Sequence, residues 1–326
     1  MKILVTGGAG LIGHNVVAKL ETQGHEVSCL DIMTNYGIIN TEELQYLISE
    51  RRKKFSVPIQ NVDIQNEVSI DNLINRLRPE VIIHLASFPR QKVVNANPQW
   101  GSRVMSEGLL NLLESSNKYG VKRFVYASSS MVYGDFENEV KEDAVCNPIG
   151  QYGIMKLAGE WLVKDYARKS DMEYTIIRPS AVYGPLDVED RVVSKFMLTA
   201  MRGGTLQVNG EHETLDFTYV DDAANGFVSA ATKPTAANKT YNITKSHAVS
   251  LLDAANMIVE MVGKGEVNVR EKDADFPSRG ALNIDAARED LKFDPVVDVE
   301  EGFRQYYEWF SNSLYWSPKT IQQPEV

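Results

Sequence analysis

Cysteine is nearly absent: Cys29 and Cys146 are the only two in 326 residues, far apart and outside any metal-ligand spacing. That excludes a disulfide-stapled secreted scaffold and a cysteine metal centre, and points to a cytoplasmic chain. No apolar run approaches the roughly 18 residues that a membrane-spanning helix needs. Met1-Lys2-Ile3-Leu4-Val5 runs straight into Thr6-Gly7-Gly8, so no signal peptide fits. Positive charge is not in excess either, with 34 lysines and arginines against 44 aspartates and glutamates, a net charge of −10. Such a chain is a poor partner for nucleic acid or an anionic membrane unless it carries a dense basic patch. The one basic run, Arg51-Arg52-Lys53-Lys54, closes a helical segment, Thr41–Glu50, and reads as a solvated last turn that complements the helix dipole. The five histidines show no paired spacing, and no metal is expected.

What is present is an ordinary globular composition, 43% hydrophobic and 24% charged, long enough for two domains. Short β-branched runs (Lys2–Thr6, Glu26–Asp31, Val81–Leu85, Arg123–Ser128, Tyr174–Arg178) alternate with amphipathic stretches (Leu11–Gln23, Val68–Leu77, Gln99–Lys118, Gln151–Lys169). Val81-Ile82-Ile83-His84-Leu85 is almost continuously apolar, as in a strand covered on both faces. This rhythm predicts an α/β fold with a doubly wound parallel sheet. After Pro185 helical patterns dominate (Asp190–Arg202, Leu251–Val262, Val299–Phe310). We therefore expect a first domain over residues 1–185, with 214–235 returning to it. A smaller, interleaved α/β domain is expected over 186–213 and 236–316, with a frayed tail over 317–326.

Residues Thr6–Gly13 hold a dinucleotide fingerprint twice over, as Gly8-x-Gly10-x-x-Gly13 and as Gly7-x-x-Gly10-x-x-Gly13. A tight turn, a close approach to a pyrophosphate and helix-on-strand packing each require glycine. The pyrophosphate would sit on the amino terminus of the helix that begins at Leu11 and Ile12. Asp31, 18 residues beyond Gly13, ends the second strand, where its carboxylate can accept both ribose hydroxyls and repel a 2′-phosphate. The expected cofactor is NAD on a Rossmann domain.

Tyr152 and Lys156 stand four residues apart, on one face of a helix. A nearby cation and a positive nicotinamide ring would both stabilise phenolate, readying Tyr152 to take a proton from a substrate hydroxyl. Ser128-Ser129-Ser130 closes a strand at the edge where open α/β sheets place ligands, and a serine there can polarise the reacting oxygen.

With these pieces in this order, the chain resembles the extended short-chain dehydrogenase/reductase family, in its nucleotide-sugar epimerase/dehydratase branch, over nearly its whole length. Thr6–Gly13 and Asp31 are similar to the family's NAD fingerprint. Val62-Asp63-Ile64 resembles its adenine-contacting turn, and His84-Leu85-Ala86-Ser87 its strand end beside the cofactor. Ser128-Ser129-Ser130-Met131-Val132-Tyr133-Gly134 resembles its Ser-Ser-x-x-Val-Tyr-Gly segment, which makes Ser129 the catalytic hydroxyl, Tyr152 the base and Lys156 its helper. Arg178–Pro185 and Asp216–Asp222 resemble two further signatures, and Pro277-Ser278-Arg279 places Arg279 at a diphosphate-binding position. The resemblance also implies a homodimer paired through Gln99–Lys118 and Gln151–Lys169.

Dehydratases of this branch carry acid and base partners before Val-Tyr-Gly, and decarboxylating members a Glu. Here Ser129-Ser130-Met131 stands instead, and methionine exchanges no proton. The leading reading is therefore a nucleotide-sugar epimerase that oxidises one carbinol, C4, and returns hydride to the other face, as in the UDP-galactose 4-epimerase type. Two alternatives stay open: a net NAD-dependent dehydrogenase of a nucleotide sugar or polyol, and a non-catalytic NAD sensor. The family's Arg-Asp-Phe segment reads Leu215-Asp216-Phe217, so one diphosphate-facing arginine is missing. Arg90 and Arg191 are the candidates to compensate.

Overall fold

The computed structural model describes residues 1–37 and 39–316; the expected frayed tail over 317–326 lies outside the described residues. Seven parallel strands form the main sheet. The chain first lays down β1 (Lys2–Thr6), α1 (Leu11–Thr22), β2 (Glu26–Leu30), α2 (Thr41–Arg52), β3 (Ile59–Gln60), α3 (Glu67–Leu77) and β4 (Val81–His84). It continues through α4 (Gln91–Ala96), α5 (Pro98–Ser102), a π-turn (Arg103–Glu107), α6 (Gly108–Tyr119), β5 (Arg123–Ala127), α7 (Gln151–Arg168) and β6 (Glu173–Pro179). A seventh strand comes from further on, and the spatial order is β3-β2-β1-β4-β5-β6, with Lys239–Ile243 beyond β6. Order reverses between β1 and β4, paired Thr6 to His84, so the ligand crevice opens outside the carboxyl ends of these two strands.

Strand alternation sorts the side chains. Ile3, Val5, Val81, Ile83, Val125 and Ala127 enter a core under α1, while Leu4, Ile82, Phe124 and Tyr126 enter another with Leu109 and Leu112 of α6. The expected single helix over Gln99–Lys118 is interrupted: the π-turn carries buried Met105, and Gly108 follows it, packed on Ile64.

The remainder threads β7 (Val182–Tyr183), α8 (Val192–Met201), β8 (Thr205–Asn209), β9 (Thr214–Asp216), β10 (Thr218–Tyr219) and α9 (Val220–Thr232). Then come β11 (Lys239–Ile243), β12 (Ala248–Ser250), α10 (Leu251–Val262), β13 (Glu266–Arg270), α11 (Asp285–Leu291) and α12 (Val299–Asn312). Helix α9 supplies Ala224, Phe227 and Val228 to the core under α1. A separate core gathers Val193 and Phe196 of α8, Ile258 of α10, and Phe303, Tyr306 and Phe310 of α12. The short strands pair two by two, β7 with β10, β9 with β12 and β8 with β13. Their lengths of two to five residues explain why the sequence pattern there shows helices first.

One buried ion pair fixes α7 to the sheet. Glu160 takes two hydrogen bonds from Arg178, at 2.8 and 2.7 Å, with both side chains buried. Ser128 donates to the same carboxylate at 2.5 Å, and Arg178 also donates to the Tyr133 hydroxyl and the Glu142 carbonyl. Tyr133 in turn donates to Asn242 on β11. Breaking a buried pair strands a charge without water or partner. Arg178→Met is therefore expected to lower unfolding stability by about 3–5 kcal/mol. The fall would be read as a shift of the urea midpoint; a loss below about 1 kcal/mol, the range of an exposed pair, would contradict this role.

Candidate active site

A cavity of about 690 Å³ opens at the carboxyl ends of β1, β4 and β5, lined by Gly7, Asp31, Ala86, Ser129, Tyr152 and Arg279 among others. Its floor is the turn from β1 into α1. Gly7 has φ +70°, and a Cβ there would lie 2.5 Å from the Ala86 backbone nitrogen. A Cβ on Gly13 would lie 2.1 Å from the Gly7 carbonyl oxygen. A Cβ on Gly8 would lie 2.4 Å from the Cys29 Sγ, so both overlapping glycine patterns are demanded by the packing of this turn. Gly10 caps α1, so the free amides of Leu11 and Ile12 point at the cavity end of the helix.

Asp31 follows β2 and accepts hydrogen bonds from the amides of Ala9 (3.0 Å) and Met33 (2.7 Å). Burial pushes its carboxyl up from the ordinary value, against those two bonds and the charge of Arg51. Asp63 and Ile64 line the same flank, with Asp63 holding the Gln65 amide at 2.9 Å. Leu85, Ala86 and Ser87 line it after β4. These groups fit a dinucleotide: a glycine cradle at a helix amino terminus, with a carboxylate at the next strand end.

At the other end of the cavity, the Ser129 hydroxyl stands beside the Tyr152 phenol and accepts the Met131 amide at 3.2 Å. Lys156 donates to the Ala127 carbonyl at 2.7 Å and lies 5.8 Å from the Tyr152 ring centroid. Close packing of α7 sets this spacing, because a Cβ on Gly159 would lie 2.1 Å from the Tyr126 hydroxyl. The charge that acts on Tyr152 differs from the sequence expectation. Burial holds the phenol above its ordinary value, and the groups that draw it back down are Arg191 and then the Ser129 hydroxyl. Burial pushes the Lys156 ammonium down to about 7, opposed by Glu160.

The three candidate arginines have different surroundings. Arg279 is walled in: its Nε has no hydrogen-bond partner among the described residues, and burial pushes its guanidinium down to about 10. Arg90 is engaged by Asp190, through the carboxylate at 2.6 Å and the carbonyl at 2.8 Å. Arg191 caps α8 half-exposed, its Nε 3.8 Å from the Asp187 carboxylate. Sequence reasoning missed Arg51. It is buried rather than a solvated cap residue, and it donates to the carbonyls of Ala9 and Leu186. The signal was available: Glu43, Leu47 and Arg51 repeat every four residues along the buried stripe of α2. Among the described residues no group of three or more His, Cys, Asp and Glu stands where it could hold a metal ion, and no helix is long and apolar enough to cross a membrane.

Lys156 generates a test. With its folded value near 7 against 10.5 when exposed, the unfolded chain binds one more proton between those limits. Stability should then rise with pH across this window, by up to about 1.4 kcal/mol per unit. Urea unfolding without dinucleotide at pH 7, 8 and 9 should show this rise in the wild type and a flatter profile in Lys156→Met. Parallel profiles would contradict a buried, strained ammonium.

Comparison with known proteins places this geometry. The profile of the NAD dependent epimerase/dehydratase family matches residues 3–244. A putative UDP-glucose 4-epimerase of Methanocaldococcus jannaschii is 30% identical, over 95% of this chain and 99% of that protein. UDP-glucuronic acid decarboxylase 1 of Xenopus tropicalis is also 30% identical, over 96% of this chain and 73% of its own. The crystal structure of UDP-glucuronic acid 4-epimerase from Bacillus cereus, in complex with UDP-glucuronic acid and NAD, superposes with a TM-score of 0.86 at 26% identity. It covers 95% of this chain and 98% of that one.

Proposed function

The chain belongs to the NAD dependent epimerase/dehydratase family, and from that premise we propose that it inverts C4 of a nucleotide sugar through a transient 4-keto-sugar. Relatives of equal identity carry different reactions in their names, so the reading rests on the site. The observation that carries it is the company Ser129 keeps. Buried Met131 lines the cavity beside it, in the place where an acid or base for elimination or decarboxylation would stand. Methionine exchanges no proton, and Ser129, Tyr152 and Lys156 suffice for reversible oxidation of one carbinol.

NAD, held by the Gly7–Gly13 turn and Asp31, would accept hydride from the carbinol carbon and give it back. Ser129 donates to the reacting oxygen and fixes its distance from Tyr152. Tyr152 takes the hydroxyl proton as the carbinol is oxidised and returns it when the ketone is reduced from the other face. Lys156, tied to Ala127, sets the position of α7 relative to β5, while Arg191 supplies the positive charge that acts on the phenol. Arg279 is the group we assign to the substrate diphosphate, with Arg191 nearer the reacting end. The sugar must turn between the two hydride steps, so contacts to the nucleotide have to hold while those to the sugar are remade.

We also read the protein as a cytoplasmic homodimer paired through α5–α6 and α7. Ile154 and Trp161 support this pairing: they are seven residues apart on one face of α7, 52% and 65% exposed. Light scattering should return twice the chain mass, and Trp161→Glu should shift it toward the monomer; a wild-type monomer would refute the pairing.

The activity test is proton NMR of UDP-, GDP-, CDP- and dTDP-sugars with protein and trace NAD. One sugar nucleotide should convert to its C4 epimer far beyond the NAD supplied. Substrate loss that stops when the NAD is spent would instead show a dehydrogenase. Tyr152→Phe should lower kcat by about 10²–10⁴-fold with NAD still bound. Unchanged turnover in that variant would remove the phenol from the mechanism.

A further inference from the structure

The segment 184–191, between β7 and α8, carries Asp187 and Arg191 along the cavity. Helix α2 holds it at two points. Arg51 donates to the Leu186 carbonyl from Nε (3.1 Å) and Nη2 (2.6 Å), while the Glu43 carboxylate accepts the Glu189 amide at 2.7 Å. From the loop after β4, Arg90 grips Asp190. Leu186 sits at φ +70°, a backbone region costly for a side chain that large, and the paired guanidinium bonds to its carbonyl hold it there.

The remaining nitrogen of Arg51 faces the other way. Nη1 donates to the Ala9 carbonyl at 2.9 Å, and the Ala9 amide in turn donates to Asp31. One buried guanidinium therefore spans the glycine turn and the segment that presents Arg191. Its planar fork is rigid, so a shift of either carbonyl is transmitted to the other rather than absorbed. Burial works against its charge, and the carboxyls of Asp187, Asp31 and Glu43 partly offset that.

We propose that Arg51 is a positioning residue that couples the two halves of the cavity: dinucleotide seated on the Ala9 turn orders residues 186–191, and through them the substrate-facing Arg191. This rests on the dinucleotide reading above, not on the identity of the sugar. Such coupling is reciprocal, so substrate at Arg191 tightens the cofactor seat in turn.

Hydrogen–deuterium exchange of the full-length protein, with and without saturating NAD, tests it. In the wild type, NAD should slow exchange in the peptide spanning 186–191 by about fivefold or more, the low end of ordinary coupling. In Arg51→Met that protection should vanish while protection of Gly7–Gly13 persists, and Arg51→Lys, which keeps the charge but not the fork, should recover part of it. Should Arg51→Met fail to fold, Arg51→Lys and Glu43→Gln carry the comparison, both with reduced protection of 186–191. Equal protection in variants and wild type overturns the coupling. So does a wild type in which NAD protects the glycine turn but leaves 186–191 unchanged. No protection at either segment would overturn the dinucleotide reading together with this inference.

Discussion

Glu160 and Arg178 meet where β5, β6 and α7 converge, and the geometry of the candidate active site is referred to that contact. Glu160 lies one helical turn beyond Lys156 and two beyond Tyr152, on the same face of α7. Its carboxylate also takes the Ser128 hydroxyl, the residue next to Ser129. A single ion pair thus fixes the helix that carries the phenol against the strand end that carries the serine. Arg178 extends the network to Tyr133 and so to Asn242 on the edge strand. Desolvating two charges is costly unless hydrogen bonds replace the lost water, and here Arg178 makes four and Glu160 accepts three from named partners. Rigidity of this kind is what reversible proton transfer between Ser129, Tyr152 and a substrate oxygen requires.

The site itself is held under electrostatic tension. Burial drives Tyr152 and Asp31 up and Lys156 down, each away from its charged form. The surrounding cores hold these three groups in place. One core under α1 and another under α6 clamp the parallel sheet, and the third, built from α8, α10 and α12, closes the cavity from the opposite side. Perturbed groups gathered in one cleft are the physical signature of a catalytic site, and here the perturbing agents can be named.

The sheet was legible because covered parallel strands are nearly pure apolar runs, and the turn at Gly7–Gly13 because its geometry admits few residues. Tyr152 and Lys156 were legible because helical spacing alone puts them side by side. Arg51 was missed, because a basic run at a helix end looks like a solvated cap unless its four-residue spacing from Glu43 and Leu47 is weighed. The engagement of Arg90 by Asp190 depends on residues a hundred positions apart, beyond any local pattern. The π-turn at Arg103–Glu107 arises from packing around Gly108 and Ile64, and the two-residue strands β7 and β10 from pairing with each other; neither leaves a periodic trace. What sequence shows well is local geometry; what it hides is which charges meet across the fold.

In the proposed mechanism hydride would leave the sugar and come back without exchanging with water. Turning over the active sugar nucleotide in D₂O and weighing the epimer tests this most directly. The proposed mechanism predicts a product with no deuterium on carbon, since the migrating hydrogen would not meet solvent between steps. Uptake of one deuteron at the inverted carbon would mean that a proton had been removed and replaced from solvent, and would contradict the mechanism built on Ser129, Tyr152 and Lys156.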